Sequence, residues 1–164
     1  MLGGKSMNKT LSPWEVAREI DTLSPVNKPG FEFKTITDEA LESVLMKHEL
    51  YLKGKSGGQL ADLSFYDLTN NKIDHSFKNF DYINFTGSKL PINCEFDGVS
   101  FKGANLSFAE ICNVKFEKCD FKDVTANCMK TFSCNFEKCC FNAMECNKSI
   151  FENATFSKVD AISA

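Results

Sequence analysis

Arginine is almost absent from this sequence. Arg18 is the single arginine among 164 residues. Because the planar guanidinium is the usual two-pronged reader of phosphates and bases, its scarcity argues against direct recognition of nucleic acid. The net charge of -3 is also small, so no strong attraction to nucleic acid or to an anionic membrane is expected.

Long apolar runs are missing too. No stretch of roughly 18 apolar residues occurs, so the sequence predicts no membrane-spanning helix. Met1–Thr10 is polar and lacks the apolar core of a secretory signal peptide, and Met7 is an alternative start after an extension of Met1–Ser6. We therefore expect a cytoplasmic protein whose eight cysteines are free thiols, although Cys119 and Cys139 come close enough for a disulfide.

Catalytic motifs are absent as well. His48 and His75 are the only histidines, and neither is spaced with Cys, Asp or Glu as in a nucleophile–base pair or a metal site. A zinc site is the less favoured alternative, because no C-x-x-C pair occurs and neighbouring cysteines face opposite sides of the predicted wall; its ligands would be Cys134, Cys139, Cys140 and Cys146. The sequence predicts no catalytic residue, no cofactor, no metal and no enzyme activity.

Residues 1–59 form a region that reads as helical. Ser12 and Glu15 have capping-box spacing with Pro13 at the first helical position, so a short helix is predicted to begin there and to end before Ser24. A second helix is predicted from Asp38 to Leu52, with Thr37 as its cap and an apolar face that includes His48. We expect this second helix to cover one end of the structure that follows.

From Leu60 onward the apolar residues recur every five positions, which is neither a helical nor a simple strand period. The larger residues of this series are mostly Phe, Leu and Ile, and the residue two places earlier is mostly small. From Phe96 the series continues with Phe101, Leu106, Ile111, Phe116, Phe121, Ala126, Thr131, Phe136, Phe141, Cys146, Phe151 and Phe156. Two extra residues near Phe77 and one near Pro91 shift its phase.

This pattern resembles the pentapeptide-repeat family, whose units read approximately Ala-Asp/Asn-Leu-x-x. Ala61-Asp62-Leu63-Ser64-Phe65 and Ala104-Asn105-Leu106-Ser107-Phe108 match such units closely, and the segment before them is similar to the lead-in of bacterial and phage members. The resemblance implies a mainly β fold over residues 60–164. The expected structure is a right-handed, four-sided β-helix of about five coils with a small N-terminal helical cap.

Twenty residues per coil place particular side chains in columns. Phe96, Phe116, Phe136 and Phe156 should form one inward ladder, and Phe101, Phe121 and Phe141 a second. An acidic outer column of Asp97, Glu117 and Glu137 should run beside a basic column of Lys118, Lys138 and Lys158. Phe108 and Cys128 should stack in another outer column, with Cys112 and Phe132 on the adjoining face. These four residues form a predicted exposed apolar corner and the candidate protein-binding site.

A rigid rod that presents side chains at fixed spacing suits a non-enzymatic scaffold that binds another protein. The resemblance implies two alternatives. Some family members mimic DNA and protect DNA gyrase from quinolones, but residues 60–164 carry 14 acidic residues interleaved with 11 lysines rather than a continuous negative face. Others are secreted bacterial effectors that use the repeats as a binding arm. A homodimer through an uncapped C-terminal coil is also expected to be possible.

Overall fold

A computed structural model of the chain describes residues 12–163, so the predictions about Met1–Thr10 lie outside the described residues. Helix α1 spans Pro13–Leu23 and helix α2 spans Asp38–Leu52, both as predicted. The backbone N–H of Glu15 donates to Ser12 Oγ at 3.4 Å, and the Glu15 carboxylate accepts from the Ser12 N–H at 2.8 Å. A short 3-10 turn, Pro25–Asn27, follows α1.

Seven short strands follow, and all of their pairings are parallel. They are β1 (Glu95–Asp97), β2 (Glu110–Cys112), β3 (Lys115–Glu117), β4 (Lys130–Phe132), β5 (Asn135–Glu137), β6 (Ile150–Glu152) and β7 (Thr155–Ser157). One sheet has the order β1-β3-β5-β7 and the other β2-β4-β6, so each strand pairs with the one a turn later. Isolated bridges form two further columns, one through Ser100 and one through Asn105. The molecule is therefore a β-solenoid whose turns have four sides.

Bridge spacing shows where the turns depart from regularity. Asp67 pairs with Lys89, and Asn84 pairs with Asn105, whereas later partners such as Glu95 and Lys115 are 20 residues apart. The two extra residues of the first turn lie between positions 67 and 79, and the extra residue of the second lies between 89 and 100. The predicted slips near Phe77 and Pro91 are thereby confirmed.

Every corner of the regular turns is made by a residue in the left-handed backbone region. Each fifth residue from Asn93 to Ser163 has a positive φ, between 52° and 64°. Only Gly98 and Gly103 among these are glycines, and none is β-branched. Because a β-branched side chain tolerates this region least, the corners explain why one position of each five-residue unit lacks Val, Ile and Thr.

The interior is built on the two predicted phenylalanine ladders. Phe116 stacks on Phe136 with ring centroids 5.0 Å apart and planes 6° apart, and Phe101 stacks on Phe121 with the same values. Rings of the two ladders meet edge to face, as Phe116 and Phe121 do at 5.3 Å. Thr131, a weak core residue by sequence, is fully buried and remains in register with Ile111.

Helix α2 closes the first turn of the solenoid. Leu41 and Leu45 are buried in the same core cluster as Ala61 and Leu63, which confirms the predicted cap. His48, one turn further along α2, is also fully buried. Its Nδ1 accepts a hydrogen bond from the Ala61 N–H at 3.4 Å, and its Nε2 has no hydrogen-bond partner among residues 12–163. This position agrees with the predicted apolar face of α2, which includes His48.

His48 should make stability depend on pH. Burial lowers the pKa of His48 below its usual 6.5, while Asp81 and Glu49 act in the opposite direction. The unfolded chain therefore binds more protons than the folded chain just below pH 6.5, and the free energy of unfolding should fall as pH drops from 7 to about 5.5. Urea unfolding across this range should show a smaller fall for His48→Asn, whose Oδ1 replaces Nδ1.

The exposed His75 supplies the control for this measurement. His75→Gln should leave the pH dependence of the unfolding free energy as it is in the parent. An unchanged pH dependence in His48→Asn would show that another group is responsible.

Candidate functional site

The two strand-bearing walls of the solenoid differ in their outward side chains. On the wall of β1, β3, β5 and β7 every outward residue is polar, and acidic and basic columns lie side by side as predicted. Lys118 Nζ lies 3.1 Å from Glu117 and 3.7 Å from Asp97, and Lys138 Nζ lies 3.0 Å from Glu137. Hydrogen bonds from Lys115 and Lys118 lower the pKa of Glu117 to about 2. This wall is a solvated network of ion pairs.

The wall of β2, β4 and β6 is mixed. Its outward columns place Cys112 beside Phe132 and Lys130 beside Ile150, each pair in parallel register. All four side chains are only half-buried. The predicted neighbourhood of Cys112 and Phe132 is thus present, and Ile150 adds a further apolar side chain to the same wall.

The corner next to this wall is a column of left-handed residues. The N–H of Phe108 donates to Asn127 O, and the N–H of Cys128 donates to Asn147 O, which places Phe108, Cys128 and Lys148 one above another. Phe108 is half-buried, but Cys128 is only 7% exposed. The predicted stacking of Phe108 on Cys128 is present, whereas the corner is less open than the sequence indicates.

Helix α1 lies against this corner, which accounts for the burial of Cys128. Lys148 Nζ lies 2.5 Å from Glu19 Oε1, and Lys130 Nζ lies 2.5 Å from Asp21 Oδ1. Ile20, between the two carboxylates in sequence, is only 1% exposed. Burial, with a smaller contribution from Glu19, raises the pKa of the Cys128 thiol. We call this surface, made of Phe108, Cys128, Lys130 and Lys148, the α1 dock.

The chain continues from α1 along the same corner toward the first turn. A methyl group added at Gly87 would lie 2.7 Å from the Phe65 ring and 3.3 Å from Val26 Cγ1, so the corner has no room for a side chain there. Phe31 packs edge to face on Phe65 at 5.9 Å. Residues 13–34, here called the N-terminal arm, therefore run from the last turns of the solenoid to the first.

The backbone of Lys34 anchors the end of the arm. The N–H of Lys34 donates to Phe65 O and the N–H of Asp67 donates to Lys34 O, both at 2.9 Å. Lys34 thereby forms an isolated parallel bridge with Tyr66.

All eight cysteines are free, and they differ in burial. Cys119, Cys134 and Cys139 are buried inside the solenoid, and Cys94 and Cys146 are half-buried. The hydrogen bond with Cys139 and burial raise the pKa of the Cys119 thiol, and burial raises the pKa of Cys94 to about 11. Cys128, in the outer column with Phe108, is also buried.

Within residues 12–163, no three His, Cys, Asp or Glu side chains are grouped so that they could hold a metal ion. In the same residues, no helix has the length and apolar character needed to cross a bilayer.

Stacked turns with five-residue sides define a β-solenoid of pentapeptide units. Residues 79–117 match the family model described as pentapeptide repeats, in 8 copies. Residues 79–117 therefore carry pentapeptide repeats. The resemblance of the sequence to this family is confirmed, as is the β-helix that it implies. No match was found among curated proteins.

Two solved structures are similar to this chain. One is the pentapeptide repeat protein Rfr23 from the cyanobacterium Cyanothece 51142, with 8% identity, a TM-score of 0.28, and coverage of 52% of this chain and 64% of that one. The other is HetL, involved in heterocyst differentiation regulation in the cyanobacterium Nostoc sp. strain PCC 7120, with 12% identity, a TM-score of 0.24 and 60% coverage of each chain. The match spans less than two-thirds of either protein, and at these TM-scores it carries no functional argument.

Proposed function

We propose that the protein is a non-enzymatic scaffold that binds another protein through the mixed wall of β2, β4 and β6. The observation that carries this proposal is the docking of α1 beside that wall: this side of the solenoid already holds a helix. Phe132 and Ile150 supply half-buried apolar surface there, next to the lysines of the α1 dock. Apolar surface with a polar border is typical of protein-binding sites.

The adjoining wall, that of β1, β3, β5 and β7, supports this choice of face. Its carboxylates alternate with lysines, and Glu117 alone has Lys115, Lys118 and Lys138 within 3.5 Å. A partner that binds there must separate ion pairs that water and neighbouring charges already satisfy. The same pairing disfavours DNA mimicry, which needs an uninterrupted negative surface to compete for a basic groove.

Differential capture tests the proposal. The parent protein, Phe132→Ser and Glu137→Ser are immobilised and exposed to the same cell extract, and the retained proteins are identified by mass spectrometry. Phe132 and Glu137 both occupy the third position of a strand, so they are a matched pair on the two walls. We expect a protein that binds the parent and Glu137→Ser but not Phe132→Ser. Identical sets on all three would contradict the proposal.

Light scattering of the reduced protein shows whether the partner is a second copy. A dimer that is lost in the Phe108→Ser, Phe132→Ser double variant assigns self-association to the mixed wall. A dimer that survives in the double variant assigns it elsewhere, such as the last turn, where Phe156 is 45% exposed. If the protein is a monomer, the partner that binds the mixed wall is a different protein.

A further inference from the structure

We propose that the α1 dock is an exchangeable helix-binding site, which accepts an acidic amphipathic helix of a partner protein in place of α1. The expected ligand presents an aliphatic side chain flanked by two carboxylates, as Glu19, Ile20 and Asp21 do in α1. This inference rests on the proposed function and names the chemistry of the partner that the scaffold binds.

The α1 dock is complementary to α1 in charge. Lys130 and Lys148 belong to successive turns of the solenoid, and each is bound to one carboxylate of α1. Ile20 lies between the two carboxylates in sequence and is buried, and Cys128 of the corner is buried as well. An apolar contact bordered by two lysines selects a helix with the same pattern and rejects a basic or wholly polar one.

Helix α1 can leave the dock without unfolding the solenoid. Backbone groups at both ends of α1 have hydrogen-bond partners within the arm. The Ser12–Glu15 capping box supplies them at the first end, and at the other end the Ser24 N–H donates to Ile20 O at 2.8 Å. The rest of the arm has its own anchor at Lys34, described above. Residues 27–30 lie between α1 and the anchor at Lys34. They are exposed, and Gly30 has a φ of +78°. These residues form a hinge between a detachable helix and a fixed bridge.

The stability of helix α1 depends on the dock. It has 11 residues, and isolated helices of this length are marginal in water. Its two ion pairs are partly exposed, and exposed pairs contribute little. A longer partner helix with the same acidic and aliphatic pattern, more helical before it binds, can therefore compete with α1 for the dock.

A labelled peptide with the sequence of residues 12–24 tests the dock directly. The receptor, called the undocked variant, is the full chain with Glu19→Gln, Ile20→Ser and Asp21→Asn, whose own α1 lacks the two carboxylates and the aliphatic side chain. Fluorescence anisotropy should show at least ten-fold tighter peptide binding to this variant than to the parent, whose dock is filled. Equal binding to both proteins overturns the proposal.

Charge reversal supplies the matched control. A peptide with Glu19→Lys and Asp21→Lys should fail to bind the undocked variant. The same peptide should bind once that variant also carries Lys130→Glu and Lys148→Glu. Non-specific adhesion does not follow this reciprocal pattern, so a reversed-charge peptide that binds the original dock equally well overturns the proposal.

Cys128 reports on the dock without any peptide. In the undocked variant Cys128 should be alkylated by N-ethylmaleimide at least ten-fold faster than in the parent, and the peptide should restore its protection. Cys119, buried inside the solenoid, should stay protected and so verifies folding. Lys130→Glu with Lys148→Glu in the otherwise unchanged full chain is a milder second variant that should also expose Cys128. Protection of Cys128 in both folded variants overturns the inference.

The two proposals fail separately. If capture depends on Phe132 but the peptide does not bind, the scaffold function stands and the helix dock is wrong. If the peptide binds but no captured protein depends on Phe132, the dock stands and the mixed wall is not the binding face.

Discussion

Phe121→Ala should lower the free energy of unfolding by about 3–5 kcal/mol, the range for truncating a buried phenylalanine. Phe121 is 2% exposed and lies between Phe101 and Phe141, with stacked ring centroids at 5.0 and 5.2 Å. Because backbone hydrogen bonds fix the spacing of the turns, neighbouring rings cannot move in to fill the space. Urea unfolding followed by far-UV circular dichroism measures the loss.

Phe156→Ala is the matched control for this prediction. Phe156 belongs to the other ladder and stacks on Phe136 alone, and it is 45% exposed. Its truncation should cost less than half as much as that of Phe121, since less apolar surface returns to water. Equal losses at the two positions would mean that the ladders do not hold the solenoid together.

Deleting residues 115–119 should destabilise the protein more than deleting residues 115–134. The longer deletion removes one whole turn, so Phe136 replaces Phe116 beneath Phe96 and Phe141 replaces Phe121 beneath Phe101. Each ladder loses one phenylalanine but stays continuous, and the cost is that of one repeat in a nearly one-dimensional stack. We expect this variant to retain a cooperative unfolding transition.

The five-residue deletion moves every later side of the solenoid by one wall. Ala126 then falls beneath Phe101 in place of Phe121, and Cys146 falls below Ala126. One ladder is lost, so the destabilisation should be at least the ~3–5 kcal/mol of a single Phe→Ala change. The ion pair between Lys130 and Asp21 is lost in both deletions, because Lys130 is either removed or displaced. Its loss therefore does not explain a difference in stability between the two variants. Equal unfolding midpoints would contradict the column-by-column account of the core.

The solenoid and both helices could be predicted from the sequence because their signals are local. The capping box at Ser12 and Glu15 fixes the start of α1 within four residues, and a five-residue period repeated to the end of the chain fixes the columns. Even the slips near Phe77 and Pro91 were visible as changes of phase. The left-handed corners were not predicted, although the lack of β-branched residues at those positions is a signal that could have found them.

The position of the N-terminal arm could not be predicted. Asp21 is 109 residues from Lys130, and Glu19 is 129 residues from Lys148. No period connects α1 to the solenoid, and the loop after Leu23 allows many paths. The sequence therefore predicts which side chains form the apolar corner at Phe108 and Cys128, but not that another part of the chain covers it. Partner binding at the apolar corner remains a prediction.

The direction of the backbone hydrogen bonds has a mechanical consequence. Bonds such as Phe101 N–H to Asp120 O and Phe121 N–H to Cys140 O join successive turns, so they run along the axis of the rod. Force that pulls the ends of the rod apart loads them a few at a time, as in opening a zipper. Each released turn of 20 residues should add ~70 Å of extended chain. The N-terminal arm spans several turns on one side and would act as a strap that carries part of the load until α1 detaches.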